Sequence, residues 1–362
     1  MIGRTLARYI FRRHAVTTLW FLAGVGALVY IIDFTEFSRQ TGSLPSYRSM
    51  TALGLSAMRL PFVVQQIIPF VGFFATLTTL IALNRKHELV VARSCGVSAW
   101  QFLLPIGVSA FLFGLFSVLV LNPIGAAGIQ RASNIEALWK SGASNSTTAS
   151  DMPWLRQKVG SAVTVIGAHA VLNGGSDLRD VTFYRIGEDD RIVERVDAEK
   201  ATLNDGFWAL ENVSRRAANG DVTRQDRLQV ETTLDSIAVS ERIARPEMIA
   251  INDLFEKIRA AKAFGYPVRA LSTQLQALTA LPMLLVAMAL IAATVSLQFV
   301  RLGQSVMLIS GGIAAAFLLY VGTVLAKAFG SAGIVAPVTA AWFPVVIALF
   351  FGVTFLLHRE DG

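Results

Sequence analysis

Six runs of about 20 apolar residues punctuate this chain, each long enough to cross the hydrocarbon core of a bilayer as a helix. They lie at roughly 15–34, 60–83, 102–121, 275–299, 306–326 and 335–357. In lipid such a run has one stable solution, a helix that satisfies its own backbone groups. The expected fold class is therefore a membrane α-helical protein with six transmembrane helices in a 3+3 arrangement. Composition agrees: of 362 residues, 54% are hydrophobic and 16% charged, a polarity too low for a soluble domain of this size. The first run is too long for a signal-peptide core, and no small-x-small cleavage site closes it, so it is expected to stay as a span.

Basic residues orient the spans. Arg4, Arg8, Arg12 and Arg13 precede the first, Arg85, Lys86 and Arg93 separate the second and third, Arg301 separates the fourth and fifth, and Arg359 follows the sixth. With alternating spans these flanks share one side, which the positive-inside rule makes cytoplasmic. Both termini are then cytoplasmic, and the insertion between spans three and four is extracytoplasmic. The net charge of +7 reflects these loops; nucleic-acid binding is not implied.

The insertion changes character. VTVIGAHAV, DVTFYRI, RIVERVDAEKATL and FWALENV alternate apolar and polar residues over strand lengths, and Gly174-Gly175, Gly187, Asn204-Asp205-Gly206 and Asn219-Gly220 supply turns. An all-β domain is expected over about 154–240, as a sandwich or jelly-roll-like barrel. Ser141 to Ser150 reads as a flexible connector. A linker helix over about 252–264 follows, with Asn252 as its cap, a stripe of Leu254, Phe255, Ile258, Ala261 and Phe264, and Gly265 and Pro267 as its stop. The organisation is thus 1–122 with spans one to three, 123–272 with the β domain and linker helix, and 273–362 with spans four to six.

Between spans two and three stands NRKHELVVARSCGVSAWQ, a charged stretch between two apolar ones. Its spacing predicts a short cytoplasmic helix over about 84–97, with Asn84 as N-cap and Gly96 just past the C-terminus. Ser98 and Gln101 then form a capping box for span three. The helix is either a plain surface connector or a docking helix for a cytoplasmic partner, with Glu88 for charge specificity and Leu89 and Val90 as an apolar anchor.

Several chemistries are excluded or weakened. His87-Glu88 begins an HExxH pattern, but Val91 stands where the second His must be. No phosphate-binding GxxxxGK[ST] loop occurs, so ATP and Mg, if used, belong on another chain, and no cofactor is expected on this one. One cysteine, Cys95, precludes an internal disulfide framework, and four histidines cannot make a rich metal site. The spans hold almost no acidic residues apart from Asp33, which argues against a secondary transporter. No catalytic constellation stands out, and Asp189-Asp190 falls in a β-domain turn.

HELVVARSCGVS and FYRIGEDDRIVERVDAEKATLNDGFWALENV, together with the 3+3 arrangement, resemble the LptF/LptG family, the permeases of the bacterial lipopolysaccharide-export ABC transporter. IIDFTEFSRQTG after span one resembles the LptG branch more than the LptF branch. The resemblance implies a bacterial inner-membrane permease with a periplasmic β domain. It implies an LptF-like partner permease, a cytoplasmic ATPase dimer, a single-span accessory subunit, a periplasmic bridge protein, and lipopolysaccharide as cargo. It makes Glu88 the coupling residue toward the ATPase, with Leu89, Arg85 and His87 beside it. Where the family often has lysines at the end of span one, this chain has Asp33, Glu36 and Arg39; these, with Lys327 on span five and Phe70 on span two, are the substrate-site candidates. The close-packing pair Gly311-Gly312 either meets the partner permease or packs within the chain. The rival reading is another ABC-type permease, or a mechanotransmitting subunit that moves no lipid.

Overall fold

Most of the apolar runs form helices that overshoot them, because hydrogen-bonded turns continue into the polar flanks. The computed structural model describes residues 3–42, 47–141, 154–159, 162–172, 176–187, 192–204, 206–217, 222–232, 246–263, 267–296 and 306–360. Helix α1 spans Arg4–Thr41 and α2 Ser49–Arg85. Short α3 covers Glu88–Ser94. Helix α4, Ala99–Phe116, runs through a π-helical segment, Ser117–Leu121, into α5, Asn122–Ser141. After the β domain come a 3₁₀ turn, Pro246–Met248, and α6, Ile251–Ala263. Helices α7, Arg269–Ser296, α8, Val306–Ala332, and α9, Pro337–Glu360, complete the membrane half. Six of these helices are long and apolar enough to cross a membrane, with α4 and α5 counted as one. Arg301, Asp189-Asp190, Gly174-Gly175, Asn219-Gly220, Phe264, Gly265 and most of the Ser141–Ser150 connector lie outside the described residues.

Helices α2 and α7 form the buried centre, whereas α1 and α8 bury little of themselves within the chain. Small residues let the backbones close. A Cβ on Gly114 of α4 would stand 3.0 Å from Leu285 of α7, besides meeting Pro282, and one on Gly125 of α5 would stand 2.9 Å from the Phe62 nitrogen of α2. One helical turn on, a Cβ at Gly128 would collide with the Met58 carbonyl oxygen. Gly312 packs against Val295 within the chain, while Gly311 faces open space; close approach here is intramolecular at one glycine of the pair.

Among the described residues the all-β insertion has six antiparallel strands: β1 Trp154–Val159, β2 Ala162–Leu172, β3 Asp177–Ile186, β4 Ile192–Asn204, β5 Phe207–Ala217 and β6 Val222–Glu231. Each strand pairs with the next in sequence, so the described strands make one up-and-down sheet. Short loops such as the two residues between Asn204 and Phe207, with Gly206 at φ 84°, favour pairing of neighbours over long crossovers.

One face carries the core, with Ile166, Phe183, Val196, Leu210 and the fully buried Trp208. On β3 the inward set runs Leu178, then Val181 and Phe183; on β5 it runs Trp208 and Leu210, then Val213. The two-residue period slips at Asp180 and Asn212, which take left-handed φ of 47° and 53°, a region that Asp and Asn enter more readily than most residues. Glu199 stands between them on β4 and accepts a 2.6 Å hydrogen bond from Asn212 Nδ2. Elsewhere Glu194 bridges Arg185 of β3, at 3.0 Å, and Arg215 of β5.

Candidate functional site

The charged stretch between spans two and three is a distinct, tied-down element. Helix α2 continues through Asn84 to Arg85, so Asn84 is not the cap expected from sequence. The break comes at His87, which adopts φ 57° and sits at the N-cap without a side-chain cap bond. Helix α3 ends as a Schellman motif: the Val97 amide donates to the Ala92 carbonyl at 3.1 Å and the Gly96 amide to Arg93 at 2.9 Å, with Gly96 at φ 81°. Ser98 does cap α4 by position, but its side chain makes no cap bond, so the expected capping box is not formed.

Leu89 is only 5% exposed and packs in a cluster with Ile10, Leu83, Ala99 and Phe102. It therefore fastens α3 to the membrane core and is not free to anchor a partner. The outward apolar surface is Val90 and Val91, the latter 60% exposed. Arg85, Lys86 and His87 are exposed beside them.

Glu88 is held by α1. Arg13 Nη1 lies 3.1 and 3.3 Å from its two carboxylate oxygens, and the Tyr9 hydroxyl donates to it at 3.3 Å. Arg13 also donates to the Tyr9 hydroxyl at 2.7 Å. The sequence reading places Arg13 only among the basic residues that orient the first span, and does not name Tyr9. One helical face of α1 carries both, four residues apart, and that periodicity is the available signal.

Just inside the same end, His14 is buried. Its Nε2 lies 2.9 Å from Thr76 Oγ1 on α2 and its Nδ1 lies 2.8 Å from Ser109 Oγ on α4. The single Thr76 hydroxyl hydrogen goes to the Gly72 carbonyl at 2.8 Å. Nε2 must then carry a hydrogen, and Nδ1 is partnered by the Ser109 hydroxyl. The imidazole thus bolts three helices together with both nitrogens satisfied.

At the end nearer the β domain the substrate candidates separate into two groups. Asp33 faces Arg59 at 3.8 Å, and Arg59 also faces Glu136 of α5 at 3.9 Å while lying 5.3 Å over the Phe37 ring. Asp33 thus faces a cation of its own chain, one that it shares with Glu136. Glu36 and Arg39 form an exposed pair on one turn of α1, with bonds of 2.9 and 2.6 Å, and Gln40 adds another at 2.6 Å. Lys327 and Phe70 lie elsewhere. Phe70 packs 4.8 Å from the Tyr320 ring, and Tyr320 and Lys327 line a cavity of about 560 Å³ between α2, α7, α8 and α9. Its buried back wall includes Leu281, Leu284 and Val345, and Lys327 Nζ pairs with Glu247 of the 3₁₀ turn at 3.2 Å.

A residue that sequence reasoning passed over joins the two halves. Asn122, 2% exposed, accepts a 2.8 Å hydrogen bond from the Ile251 amide, and its Nδ2 donates to Gln65 Oε1 at 3.3 Å. The first turn of α6 is capped from 129 residues away, where Asn252 was expected to do so; Asn252 is exposed inside the helix. Leu254 and Ala261 are buried as the stripe predicts, but Phe255 is 52% exposed. A lone polar residue at membrane depth is the signal that could have found Asn122. Asn122→Ala is expected to strand a buried amide and cost about 1–3 kcal/mol, read as a lower thermal midpoint and faster proteolysis at the linker; an unchanged midpoint would show that the bond is not made.

These elements define a six-span membrane protein that carries an all-β domain between its third and fourth spans and a tethered helix at the opposite end. The chain belongs to the lipopolysaccharide export system permease LptF/LptG family, whose model matches residues 8–358. It is accordingly a multi-pass inner-membrane transporter subunit and not itself an enzyme. No individual curated protein matches it.

Proposed function

We propose that this chain is an LptG-type permease of an ATP-driven exporter that extracts lipopolysaccharide from the inner membrane. Its partners are an LptF-like permease, a cytoplasmic ATPase dimer that holds ATP and Mg, a single-span accessory subunit and a periplasmic bridge protein. The chain itself binds no cofactor. Residues 1–122 and 273–362 build the membrane half, with both termini cytoplasmic, and 123–272 hold the periplasmic β domain that passes the lipid onward.

The observation that carries this reading is helix α3. It is capped, wedged by Leu89 and tied to α1 through Glu88, so a push on its exposed face moves α1, α2 and α4 together. Arg85, His87, Val90 and Val91 present that face to the ATPase. ATP-driven closure then shifts the membrane half toward a state that binds lipid poorly, which is the differential affinity extraction needs. The weakly buried α1 and α8 offer the surface for the partner permease, and Arg39 and Lys327 offer charge to lipid phosphates.

The test is co-expression with the candidate permease and ATPase of the same genome, purification in mild detergent, and ATPase and lipid-release assays with and without lipopolysaccharide. A stable complex with lipid-dependent turnover is expected. A chain that purifies alone, or turnover indifferent to lipid, would favour a permease that moves no lipopolysaccharide.

A further inference from the structure

Helix α6, Ile251–Ala263, carries three chemically distinct arcs. At about 100° per residue, Ile251, Leu254, Ile258 and Ala261 share one arc, the one buried against the rest of the chain. Phe255, Arg259 and Lys262 lie on the adjoining arc, within about 60° of one another. All three are exposed, Phe255 by 52% although it is the bulkiest apolar side chain of the helix. Asp253 and Glu256 are exposed on a third arc, centred about 120° beyond the second, and half-buried Lys257 falls on the opposite edge of the docked arc. Contacts fix the depth of the helix. Asn122, where the third apolar run ends, caps its first turn, and Ile251 and Leu254 share a cluster with Val118 and Leu278, inside the third and fourth runs. The helix therefore lies at the level where hydrocarbon gives way to headgroups, on the side of the β domain.

We propose that the Phe255–Arg259–Lys262 arc of α6 docks on the phospholipid headgroup layer of the bilayer that the six spans cross, in the leaflet nearest the β domain. An aromatic ring beside cations suits a helix lying in the interface plane, with the ring among the upper acyl chains and the cations on lipid phosphates. The long Arg and Lys stems keep their methylenes against the apolar layer while the charged ends reach outward. Charge separation sets the roll of the helix, since the arc of Asp253 and Glu256 is turned from an anionic surface that would repel it. The lipid here is bulk phospholipid at an outer surface, not cargo. The Pro246–Met248 turn runs into α6, so this contact holds the foot of the β domain at one height above the membrane. The inference rests on the six spans alone and holds whatever the chain transports.

The test places the full-length chain in nanodiscs of mixed phosphatidylcholine and phosphatidylglycerol. Cys95, the single cysteine, is replaced by Ser, and a fluorophore is attached through Phe255→Cys or, on the acidic arc, through Asp253→Cys. Quenching by each lipid, brominated in its upper acyl chain, is then compared. Quenching at position 255 and not at 253 is expected. Phosphatidylglycerol should quench more than its share of the disc, by roughly 5-fold for each cation near the surface. Arg259→Gln with Lys262→Gln should bring the two lipids to parity, whereas Arg259→Lys with Lys262→Arg keeps both charges and should keep the preference; monodisperse elution qualifies every variant. Absence of quenching at 255 overturns the membrane contact, the arc then facing water or a protein partner. Equal quenching at 255 and 253 overturns the roll of the helix. Parity of the two lipids with the native cations, a preference that survives the double Gln variant, or one lost in the charge-keeping swap overturns recognition of headgroups by charge.

Discussion

Gly128→Leu is expected to abolish assembly of the membrane half. Helix α5 lies so close to α2 that a Cβ at Gly128 would overlap the Met58 carbonyl oxygen, and Gly125, one turn earlier, faces the Phe62 nitrogen at 2.9 Å. Overpacking against a flexible side chain costs about 1–3 kcal/mol. Here the obstacle is backbone, which has no rotamer to change, so the cost should reach or exceed the top of that range, roughly 3 kcal/mol. Marginal folds do not survive such a loss. Detergent size-exclusion should show aggregate in place of the monodisperse peak. Gly54→Leu, on the same α2 but with open space around its Cβ, is the matched control and should elute as wild type. A monodisperse, thermally unchanged Gly128→Leu would mean that α2 and α5 do not sit at this distance.

The second large effect is expected at Glu88. Its carboxylate receives Arg13 and Tyr9 from α1, so it joins α3 to the first span as well as facing the side on which the ATPase is proposed to dock. Glu88→Ala is expected to lower ATP-coupled lipid release by about 10-fold, in line with loss of a charged hydrogen bond worth ~1.5–3 kcal/mol. If the tie to α1 transmits the push, Arg13→Ala reproduces most of that loss, and the double variant is no worse than either single one, the mark of residues acting as a unit. ATPase pull-down should persist in all three, because the exposed Val90–Val91 face is untouched. A silent Arg13→Ala beside a severe Glu88→Ala would assign the carboxylate to the partner instead, and make the contact with α1 incidental.

What was legible in the sequence is what repeats locally. Runs of apolar residues mark every span, and alternation marks β2 to β5. The edge strand β6 was harder, since VTRQDRLQVE keeps only Leu228 and Val230 against the core. The slip at Asp180 and Asn212 breaks the period that a strand reading relies on. Helix α3 was foreseen with its Gly96 stop, but not with its His87 start, because an imidazole at φ 57° follows from the exit angle of α2 and not from propensity. The pairs that matter most to the site, Arg13 with Glu88, Lys327 with Glu247 and Asn122 with Ile251, join residues 75 to 129 positions apart. Periodicity marks the face of α1 that carries Tyr9 and Arg13, but not the residue that face meets. Leu89 shows the converse: an apolar residue on a charged helix suits a partner or the core equally well, and only packing decides.

The π-helical segment at Ser117–Leu121 makes the third membrane helix a counting device. A π turn holds one residue more than an α turn, and each residue of an α-helix advances the azimuth by about 100°. Excising one residue within that segment would let it relax to an ordinary α turn, with Gly125 and Gly128 still against α2. The same excision in the regular helix on either side would have no extra residue to absorb it. Between Ala99 and Ser117 it would swing Gly125 and Gly128 off α2 and take Asn122 from Gln65 and Ile251 in the same step. The helix seam and the foot of the β domain are thus indexed to one tally of residues from Ala99 onward, and only the π segment can give one up.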